Sequence, residues 1–301
     1  MIYVILGPTG SGKTKCVDKI FPHLYNPIII NADAFQVYKD MNIGTAKIDV
    51  SHPLYKDYKL LDFLSPEKVF SIQEYQSMFR LILDKAIEES RDVIIVGGSG
   101  LYVKSSLYDY DFVDFDNEFD ATIYENKSNE ELHEILVSLD EEEGKKIHPN
   151  NRKRVLQAIR IASAGKGNKS SLIAAQKHEI LYKNVEFLCL NPDRETLYNN
   201  INKRVDEMVK AGLVDEVKHL LDTYKLSQTA YQAIGYKEII EYLNGSCSLD
   251  EAIETIKKRT RNYAKRQMTF FRHQLPCVMF KDSEQLILHI IEGGKNNEKR
   301  N

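Results

Sequence analysis

The feature that most constrains this chain is a glycine-rich segment directly after its first apolar run. Residues 7–14 read Gly-Pro-Thr-Gly-Ser-Gly-Lys-Thr, which fits the pattern G-x-x-x-x-G-K-[ST]. A strand is predicted before it at residues 3–6, and a helix after it at 12–20, which is the context that the pattern requires. In such a loop the backbone N–H groups point into one concavity, and the helix N-terminus adds partial positive charge. The sequence therefore predicts a polyphosphate site.

Every residue of this loop is a candidate for contact with the phosphates. These residues are Gly7, Pro8, Thr9, Gly10, Ser11, Gly12, Lys13 and Thr14. Lys13 would supply a point charge to the phosphates, and the Thr14 hydroxyl is suited to bind Mg²⁺ or a phosphate oxygen. The pattern does not specify which polyphosphate is bound.

Short apolar runs alternate with helical periodicity over the first hundred residues, which is typical of βαβ units. Further strands are predicted at residues 27–30, 58–62, 92–96, 185–190 and 277–280, and long helices at 72–89, from about 193, and at 249–274. This order predicts an α/β fold of the P-loop NTPase-like kind, in which a parallel sheet is flanked by helices.

The pattern changes after about residue 107, where an acidic and aromatic stretch leads into short helical segments. These are predicted at 129–139, 141–147 and 151–164, and a loop rich in Gly, Lys, Asn and Ser follows at 165–171. We interpret residues 115–183 as a smaller, all-helical insertion domain within a core formed by residues 1–114 and 184–301. Residues 295–301 should be a frayed polar tail.

Composition argues against several classes of protein. No apolar run approaches the roughly 20 residues that span a bilayer, and the N-terminus reaches the glycine loop without a basic leader. The four cysteines are scattered, with neither metal-ligand nor disulfide spacing. We therefore expect no membrane association and a cytoplasmic location. The absence of a long heptad pattern favours a monomer.

Charge is segregated along a chain whose formal net charge is only −3. Residues 113–143 hold twelve acids and one lysine, whereas residues 144–170 hold eight Lys/Arg and residues 257–273 hold seven, both without an acid. Such runs create local fields that the net charge conceals. Each run alone is consistent with a solvated helix face, but two acid-free basic runs favour an anionic polymer as partner.

The acid beside the phosphate loop is predicted to be Asp33. The strand at 92–96 ends in Gly97 and Gly98, and Asp92 lies at its other end, so the usual Mg²⁺-binding acid of a P-loop ATPase is missing. Asp33 instead follows the strand at 27–30, and ligands bind outside the carboxyl ends of parallel strands. Asp33 could therefore act as a general base toward an acceptor group. The alternative is that Asp33 caps the next helix.

Five segments carry a resemblance to a known family. They are residues 31–38 with 41–47 (NADAFQVY and MNIGTAK), 96–102 (VGGSGLY), 147–151 with Arg154 (IHPNN), 233–238 (AIGYKE) and 260–267 (TRNYAKRQ). Together with the phosphate loop, they follow one another in the family's order from residue 7 to about 272. In these segments the chain resembles the tRNA dimethylallyltransferases.

The resemblance implies a reaction in which a dimethylallyl group moves from its diphosphate to N6 of the adenosine immediately 3′ of the tRNA anticodon. The phosphate loop would then hold the diphosphate leaving group with Mg²⁺ at Thr14. Asp33 would take the proton from N6, with Thr9 close to the prenyl and phosphate groups and Arg194 reaching the diphosphate. The partner would be a tRNA anticodon stem-loop whose target adenosine is flipped out of its stack.

The resemblance also implies the residues that contact tRNA. At the target base and its neighbours they are Asp33, Ala34, Phe35, Gln36 and Ser99; on the insertion they are Lys153, Arg154, Val155, Leu156 and Gln157; on the C-terminal helix they are Arg261, Lys265 and Arg266. For the C-terminal helix a second interpretation stays open. Tyr263, Met268, Phe270 and Phe271 could form its core face, and the arginines would then be its solvated side.

The chain departs from the family pattern at two places. Where the family has a second diphosphate arginine, this chain has Asn200, and Arg204 one turn later is the nearest charge. Where a tRNA-contacting arginine is usual, it has Asp120 or Thr122.

Three other functions remain open at this stage. The first alternative is an adenylate isopentenyltransferase, which prenylates free AMP, ADP or ATP, but a free nucleotide needs no basic insertion. The second is a small-molecule P-loop kinase, which leaves the Gly97–Gly98 turn unexplained. The third is an RNA-binding module with a degenerate phosphate loop, which the intact Lys13, Thr14 and Asp33 argue against.

Overall fold

The structure is a computed structural model that describes residues 1–110, 112, 119–163 and 179–298. It divides into two compact units, one formed by residues 1–107 and 182–301 and the other by residues 108–181. The loop predicted at 165–171 lies outside the described residues. Among those that are described, no helix is both long and apolar enough to cross a bilayer.

The first unit, which we call the core unit, is built on a six-stranded sheet. Its strands are β1 (Ile2–Leu6), β2 (Ile28–Asn31), β3 (Tyr58–Lys59), β4 (Val93–Gly97), β5 (Val185–Leu190) and β6 (Val278–Phe280), in the order β3-β2-β4-β1-β5-β6. Every pairing is parallel. The predicted parallel α/β fold is confirmed, and the unbroken Val/Ile/Leu runs reflect strands that are buried on both faces.

Helices cover both faces of this sheet. In chain order the helices of the core unit are α1 (Lys13–Ile20), α2 (Ile72–Glu88), α3 (Gly100–Leu107), α7 (Arg194–Lys210), α8 (Leu213–Thr223), α9 (Gln228–Tyr231), α10 (Tyr236–Leu243), α11 (Leu249–Gln274) and α12 (Ser283–Glu298). On one face, Val17 of α1 and Ile290 of α12 pack against Ile5 and Ile94 of the central strands. Helix α12 continues to Glu298, so the polar tail predicted from residue 295 begins within this helix.

The second unit, which we call the insertion, contains α4 (Asn129–Leu139), α5 (Glu141–Lys146) and α6 (Arg152–Ser163). These helices enclose a small core of their own, in which Leu132, Leu136 and Ile159 are fully buried. The insertion begins at residue 108 and ends at residue 181, rather than at 115 and 183 as predicted. The reason is that Tyr108 forms an antiparallel bridge with Ile180. This bridge joins the first and last segments of the insertion, so the insertion already includes residue 108, although the composition changes clearly only later.

The parallel sheet brings four segments to one edge. The phosphate loop follows β1, Asp33 follows β2, the Gly97–Gly98 turn ends β4, and Arg194 follows β5. In the sheet, β4 lies between β1 and β2, with Leu6 opposite Gly97 and Asn31 opposite Val96. The carboxyl edge of the sheet is therefore where the chemistry must be sought.

Candidate active site

The phosphate loop connects β1 to α1 through two glycines with left-handed backbone. Gly10 has φ +82° and Gly12 has φ +91°, a conformation that residues with a Cβ rarely adopt. The backbone N–H of Ser11 donates to the carbonyl of Pro8 over 3.2 Å and closes the turn. The loop thus has the tight turn followed by a helix N-terminus that phosphate binding uses.

Lys13 lies folded over this loop. Its Nζ donates to the carbonyl oxygens of Gly7, over 2.8 Å, and Pro8, over 3.0 Å. Burial lowers the pKa of Lys13 to about 8, with the positive charge of Arg204 acting in the same direction and Asp33 opposing the shift. A bound polyphosphate would favour the charged ammonium, since an opposite charge a few ångströms away stabilises the ionised form.

Asp33 is held at the end of β2 by backbone bonds to the neighbouring strand. The N–H of Ala32 donates to the carbonyl of Val96 over 2.8 Å, and the N–H of Ser99 donates to the carbonyl of Ala32 over 3.0 Å. One oxygen of Asp33 accepts the N–H of Phe35 over 3.0 Å. The segment after Asp33 forms turns rather than a helix. The alternative that Asp33 caps a helix is therefore wrong.

The Gly97–Gly98 turn has a steric cause. A Cβ on Gly97 would lie 2.1 Å from the carbonyl oxygen of Ala32, and one on Gly98 would lie 2.2 Å from Nε2 of Gln267. Gly97 meets backbone and cannot carry a side chain, so no acid can stand directly at the end of β4, whereas a side chain on Gly98 would displace the Gln267 amide. The two glycines let β2, β4 and α11 approach one another closely.

Gln267 makes a contact that sequence reasoning missed. This buried residue of α11 donates from Nε2 to the carbonyl of Gly98 over 2.9 Å, and its Oε1 accepts the N–H of Thr9 over 3.3 Å. It ties the phosphate loop to the glycine turn across 258 residues of sequence. The helical spacing of Ala264, Gln267 and Phe271 places them on one face of α11, and this spacing could have indicated that Gln267 is buried.

Helix α7 presents Arg204 to the phosphate loop. The side chain of Asn200, one turn earlier, donates from Nδ2 to the carbonyl of Gly10 over 3.2 Å, and Ile201 packs beside the same glycine. Burial lowers the pKa of Arg204, while the negative charge of Asp33 raises it. Asn200, which stands where the family pattern has an arginine, thus binds the phosphate loop through a neutral amide. The positive charge beside the loop is supplied by Arg204 instead.

Two adjoining cavities meet at this place, and Thr9, Asp33, Thr45 and Arg204 line both of them. The first cavity is polar, and its other walls include Lys13 and Thr14 of the phosphate loop together with Asn31 and Gln36. The second cavity is largely apolar. Its other walls include Ile201, Val205, Met208, Ala233, Ile234, Ile256 and Tyr263. A ligand with an anionic end and an apolar end would find complementary surroundings on the two sides of Asp33.

The polar cavity offers few protein ligands for a cation. Among the described residues, no group of three or more His, Cys, Asp or Glu side chains could hold a metal ion. A cation here would therefore take most of its ligands from phosphate and water, with Thr14 as a protein ligand. This donor set fits Mg²⁺, which keeps several waters and is usually bound together with substrate phosphates.

Arg194 is placed apart from these cavities. It lines a neighbouring groove together with Ser11, Asn200 and Lys265, and its guanidinium lies over the ring of Tyr198, 5.1 Å from the centroid. Arg194 lines neither of the two cavities at Asp33. Its predicted role at the diphosphate stays a prediction.

Helix α11 combines both interpretations that the sequence left open. Met268 and Phe271 are buried in the core. Arg261 donates to the Asn202 side chain over 2.6 Å, and Arg266 lies over the ring of Tyr263. Burial raises the pKa of Tyr263, which lines the apolar cavity, to about 12. The helix therefore has a core face and a separate face that carries the basic side chains.

The predicted tRNA-contacting residues of the insertion lie on two faces of α6, one exposed and one packed against the core of the insertion. Lys153, Arg154 and Gln157 are exposed on α6. Val155 is fully buried in the core of the insertion, and Leu156 packs against the same cluster. The prediction that Val155 contacts tRNA is corrected on this ground, because a side chain without exposed surface cannot touch a partner.

The second departure from the family pattern also lies on the insertion. Asp120 caps a short 3₁₀ helix by accepting the N–H of Thr122 over 2.9 Å. The Thr122 hydroxyl donates to the same carboxylate, and together the two bonds lower the pKa of Asp120. These two residues thus serve the local fold of their loop.

Comparison with known proteins assigns the family. The model of the family described as IPP transferase matches residues 36–274 of the chain. This chain belongs to that family. A tRNA dimethylallyltransferase from Anoxybacillus flavithermus is 40% identical to it over 301 aligned residues, which cover 97% of this chain and 96% of the relative.

Solved structures agree with the assignment to the IPP transferase family. A tRNA delta(2)-isopentenylpyrophosphate transferase from Staphylococcus epidermidis is 36% identical, covers 100% of this chain and 99% of its own, and superposes with a TM-score of 0.71. A eukaryotic dimethylallyltransferase, solved acting on tRNA, shares the fold with a TM-score of 0.83 at 24% identity, over 98% of this chain and 79% of its own. The resemblance drawn from the motifs is confirmed.

Proposed function

We propose that this chain transfers a dimethylallyl group from dimethylallyl diphosphate to N6 of the adenosine immediately 3′ of the tRNA anticodon. In this reaction a bond forms between N6 and C1 of the allyl group, and the bond between C1 and the diphosphate oxygen breaks. N6 loses one proton, and diphosphate leaves with the bonding electron pair. The products are N6-isopentenyladenosine in tRNA and diphosphate.

The position of Asp33 on the border of the two cavities carries this proposal. Dimethylallyl diphosphate has an anionic end and a five-carbon apolar end, and the two cavities offer surroundings of the same two kinds. The bond that breaks joins these two ends, so the reacting carbon would lie beside Asp33. A phosphate loop that served a kinase would not need an apolar cavity on the other side of its acid.

Each charged group then has a step to perform. Asp33 accepts the proton from N6 as the new bond forms. Charge builds on the diphosphate oxygens as the allyl group leaves, and Lys13, Arg204 and the loop N–H groups stabilise it. Thr9, whose N–H is held by Gln267, borders the reacting atoms. Arg194 would reach the diphosphate from the neighbouring groove.

The proposal includes Mg²⁺ as the cofactor. Thr14 would hold the ion in the polar cavity, together with diphosphate oxygens and water. When bound there, Mg²⁺ supplies additional stabilisation of the negative charge on the leaving diphosphate.

The acceptor is a tRNA anticodon stem-loop. The target adenosine must leave its stack to reach Asp33, where Ala34, Phe35, Gln36 and Ser99 would contact it or its neighbours. Phosphate contacts would position the stem-loop without specifying its sequence. Their donors are Lys153 and Arg154 with Gln157 on the insertion, and Arg261, Lys265 and Arg266 on α11. We take the enzyme to act as a monomer in the cytoplasm, where tRNA is available.

The test is transfer of labelled dimethylallyl from its diphosphate, in the presence of Mg²⁺, by the wild-type protein. The acceptors are an anticodon stem-loop with adenosine immediately 3′ of the anticodon, the same loop with guanosine there, and free AMP. We expect label in the adenosine loop alone. Label on AMP would instead assign the adenylate class. ATP hydrolysis without any transfer would contradict the proposal as a whole.

A further inference from the structure

The loop of residues 41–47 forms one wall of both cavities. In the sequence these residues stand out only as a motif, without a structural role. In the structure Thr45 lines the polar and the apolar cavity, and Gly44 lines the apolar one. The geometry of this wall therefore bears directly on whatever binds beside Asp33.

The loop does not rest in a relaxed backbone conformation. Ala46 within it has φ +48°, in the left-handed region where its Cβ is unfavourable, and Asp40 before it has φ +60°, a conformation that Asp adopts more readily than Ala. Such residues persist only when surrounding contacts determine them. One contact is made by Tyr224, whose hydroxyl donates to the Asp40 carboxylate over 2.6 Å.

The strongest contact comes from Glu216 on α8. Its carboxylate accepts three consecutive backbone N–H groups: Asn42 over 3.0 Å, Ile43 over 2.7 Å and Gly44 over 3.1 Å. Hydrogen bonds to an ionised acceptor are shorter and about twice as strong as neutral ones. One side chain thus satisfies three successive donors of a loop that is 172 residues distant in sequence from it.

Tyr236 at the start of α10 completes this arrangement. Its hydroxyl donates to Oε1 of Glu216 over 2.7 Å, and its fully buried ring occupies the space beside Gly44. A Cβ on Gly44 would lie 2.5 Å from this ring. Burial, with the nearby charge of Glu216, holds the pKa of Tyr236 well above its usual value, so the phenol remains a donor.

The loop also orients Gln36, which is predicted to contact the target base. Nε2 of Gln36 donates to the carbonyl oxygens of Thr45, over 3.1 Å, and Ala46, over 3.3 Å. Gln36 lines the polar cavity, and its amide is therefore oriented by the same loop that Glu216 holds.

We propose that Glu216 is a positioning residue for the transfer reaction: its carboxylate holds the N–H groups of residues 42–44 and thereby fixes Thr45 and Gln36 at the cavity wall. Glu216 itself lines neither cavity. It acts through the loop, and its effect should fall on the geometry of the reacting groups rather than on the phosphate loop. This inference rests on the proposed function.

The deciding variant is Glu216→Gln, which keeps the size of the side chain. A carboxamide loses the charge, and its NH₂ group faces backbone donors, so it cannot accept all three N–H groups. We expect kcat for the stem-loop to fall about 10-fold or more, because small displacements of positioning groups can cost up to about 100-fold. The KM for dimethylallyl diphosphate should stay within about twofold, since the phosphate loop is untouched.

Asp215→Asn is the matched control. Asp215 precedes Glu216 in the same helical turn, but its side chain is largely exposed and, among the described residues, pairs with Lys218 at 3.8 Å. The control removes the same charge from the same helix, and both kinetic constants should remain at the wild-type values.

Hydrogen exchange separates this inference from the proposed function. In the wild-type protein without substrates, the amides of Asn42, Ile43 and Gly44 should be protected, and in Glu216→Gln they should exchange at least about 10-fold faster. If these three amides exchange at the same rate in both proteins, the Glu216 carboxylate does not hold them, and the inference is overturned. A wild-type protein without transfer activity would refute the proposed function while leaving this exchange test valid.

A double variant distinguishes positioning from general destabilisation. Gly44→Ala disturbs the same loop from the side of Tyr236, so its effect on kcat and that of Glu216→Gln should not add. A folded Glu216→Gln protein with kcat within about twofold of wild type would overturn the inference. So would an unchanged kcat with a raised KM for the diphosphate, or fully additive effects in the double variant.

Discussion

The core unit and the insertion use basic side chains in opposite ways. Lys13 and Arg204 in the core unit lie in the wall of a cavity, and burial lowers the pKa of both. Lys153 and Arg154 on α6 of the insertion are exposed to solvent. The two pairs carry the same formal charge, but their surroundings give this charge different effects.

This difference in burial indicates which basic residues affect the chemical step and which affect binding. In a cavity with a low effective dielectric constant, a cation interacts strongly with a developing negative charge and is screened little by salt. An exposed cation is screened strongly, and its contribution to binding a nucleic acid comes with counterion release. We therefore expect the core pair to affect kcat and the insertion pair to affect salt-dependent binding.

The largest effect should follow from removing the Asp33 carboxylate, whose charge acts on both buried cations. Asp33→Asn keeps the shape and the acceptor oxygen for the Phe35 N–H, but it removes the proton acceptor. We expect kcat to fall about 10²- to 10⁴-fold in the transfer assay. Asp222→Asn, an exposed change on α8, should leave kcat unchanged. Retention of more than about a tenth of the activity by Asp33→Asn would exclude Asp33 as the base.

The next largest effect should come from Arg204→Gln. Loss of this charge removes stabilisation of the leaving diphosphate, and kcat/KM should fall about 10²-fold. The neighbouring Lys203→Gln is a matched control, because Lys203 is largely exposed and its partner within the described part of the chain is Glu207 at 3.8 Å. Equal decreases in the two variants would break the distinction between buried and exposed cations.

A pH profile tests the same distinction without removing Lys13. The lowered pKa of Lys13, about 8, means that its ammonium is charged below this pH and that the charge disappears as the pH rises through it. Because the charged form binds the diphosphate, kcat/KM should be level up to about pH 8 and then decline. In Arg204→Gln the decline should move to higher pH, since Arg204 helps to lower that pKa. An unshifted decline would show that Arg204 does not act on Lys13.

Part of this site follows from sequence alone. The phosphate loop is a local pattern, and Asp33 follows from the rule that ligands bind at the carboxyl ends of parallel strands. Arg204 follows from helical spacing, because it lies one turn after Asn200. These inferences need only neighbours along the chain or a rule of the fold class.

The rest depends on contacts that no local pattern shows. Gln267 reaches Thr9 across 258 residues, and Glu216 reaches Gly44 across 172. From the sequence alone, a polar residue on a helix is expected to face solvent unless its hydrogen-bond partner is known. The error at Val155 has another cause: the prediction treats residues 153–157 as one basic run, although Val155, Ala158 and Ile159 have the spacing of a buried helix face.

The smallest effect should follow from the exposed pair on the insertion. For the double variant Lys153→Ala and Arg154→Ala, we expect the KM for the stem-loop to rise about fivefold, or about 1 kcal/mol, with kcat unchanged at saturation. The slope of log KM against log salt should decrease by about one for each phosphate that the variant no longer binds.

Lys145→Ala is the control for this prediction. Lys145 is also exposed on the insertion, but its ammonium is paired with Glu141 at 2.7 Å, so little of its charge is available to a phosphate. We expect its removal to leave the salt slope unchanged. If Lys145→Ala flattens the slope by as much per charge as the double variant does, the insertion attracts tRNA by its overall field. If none does, the exposed cations of α6 have no part in binding.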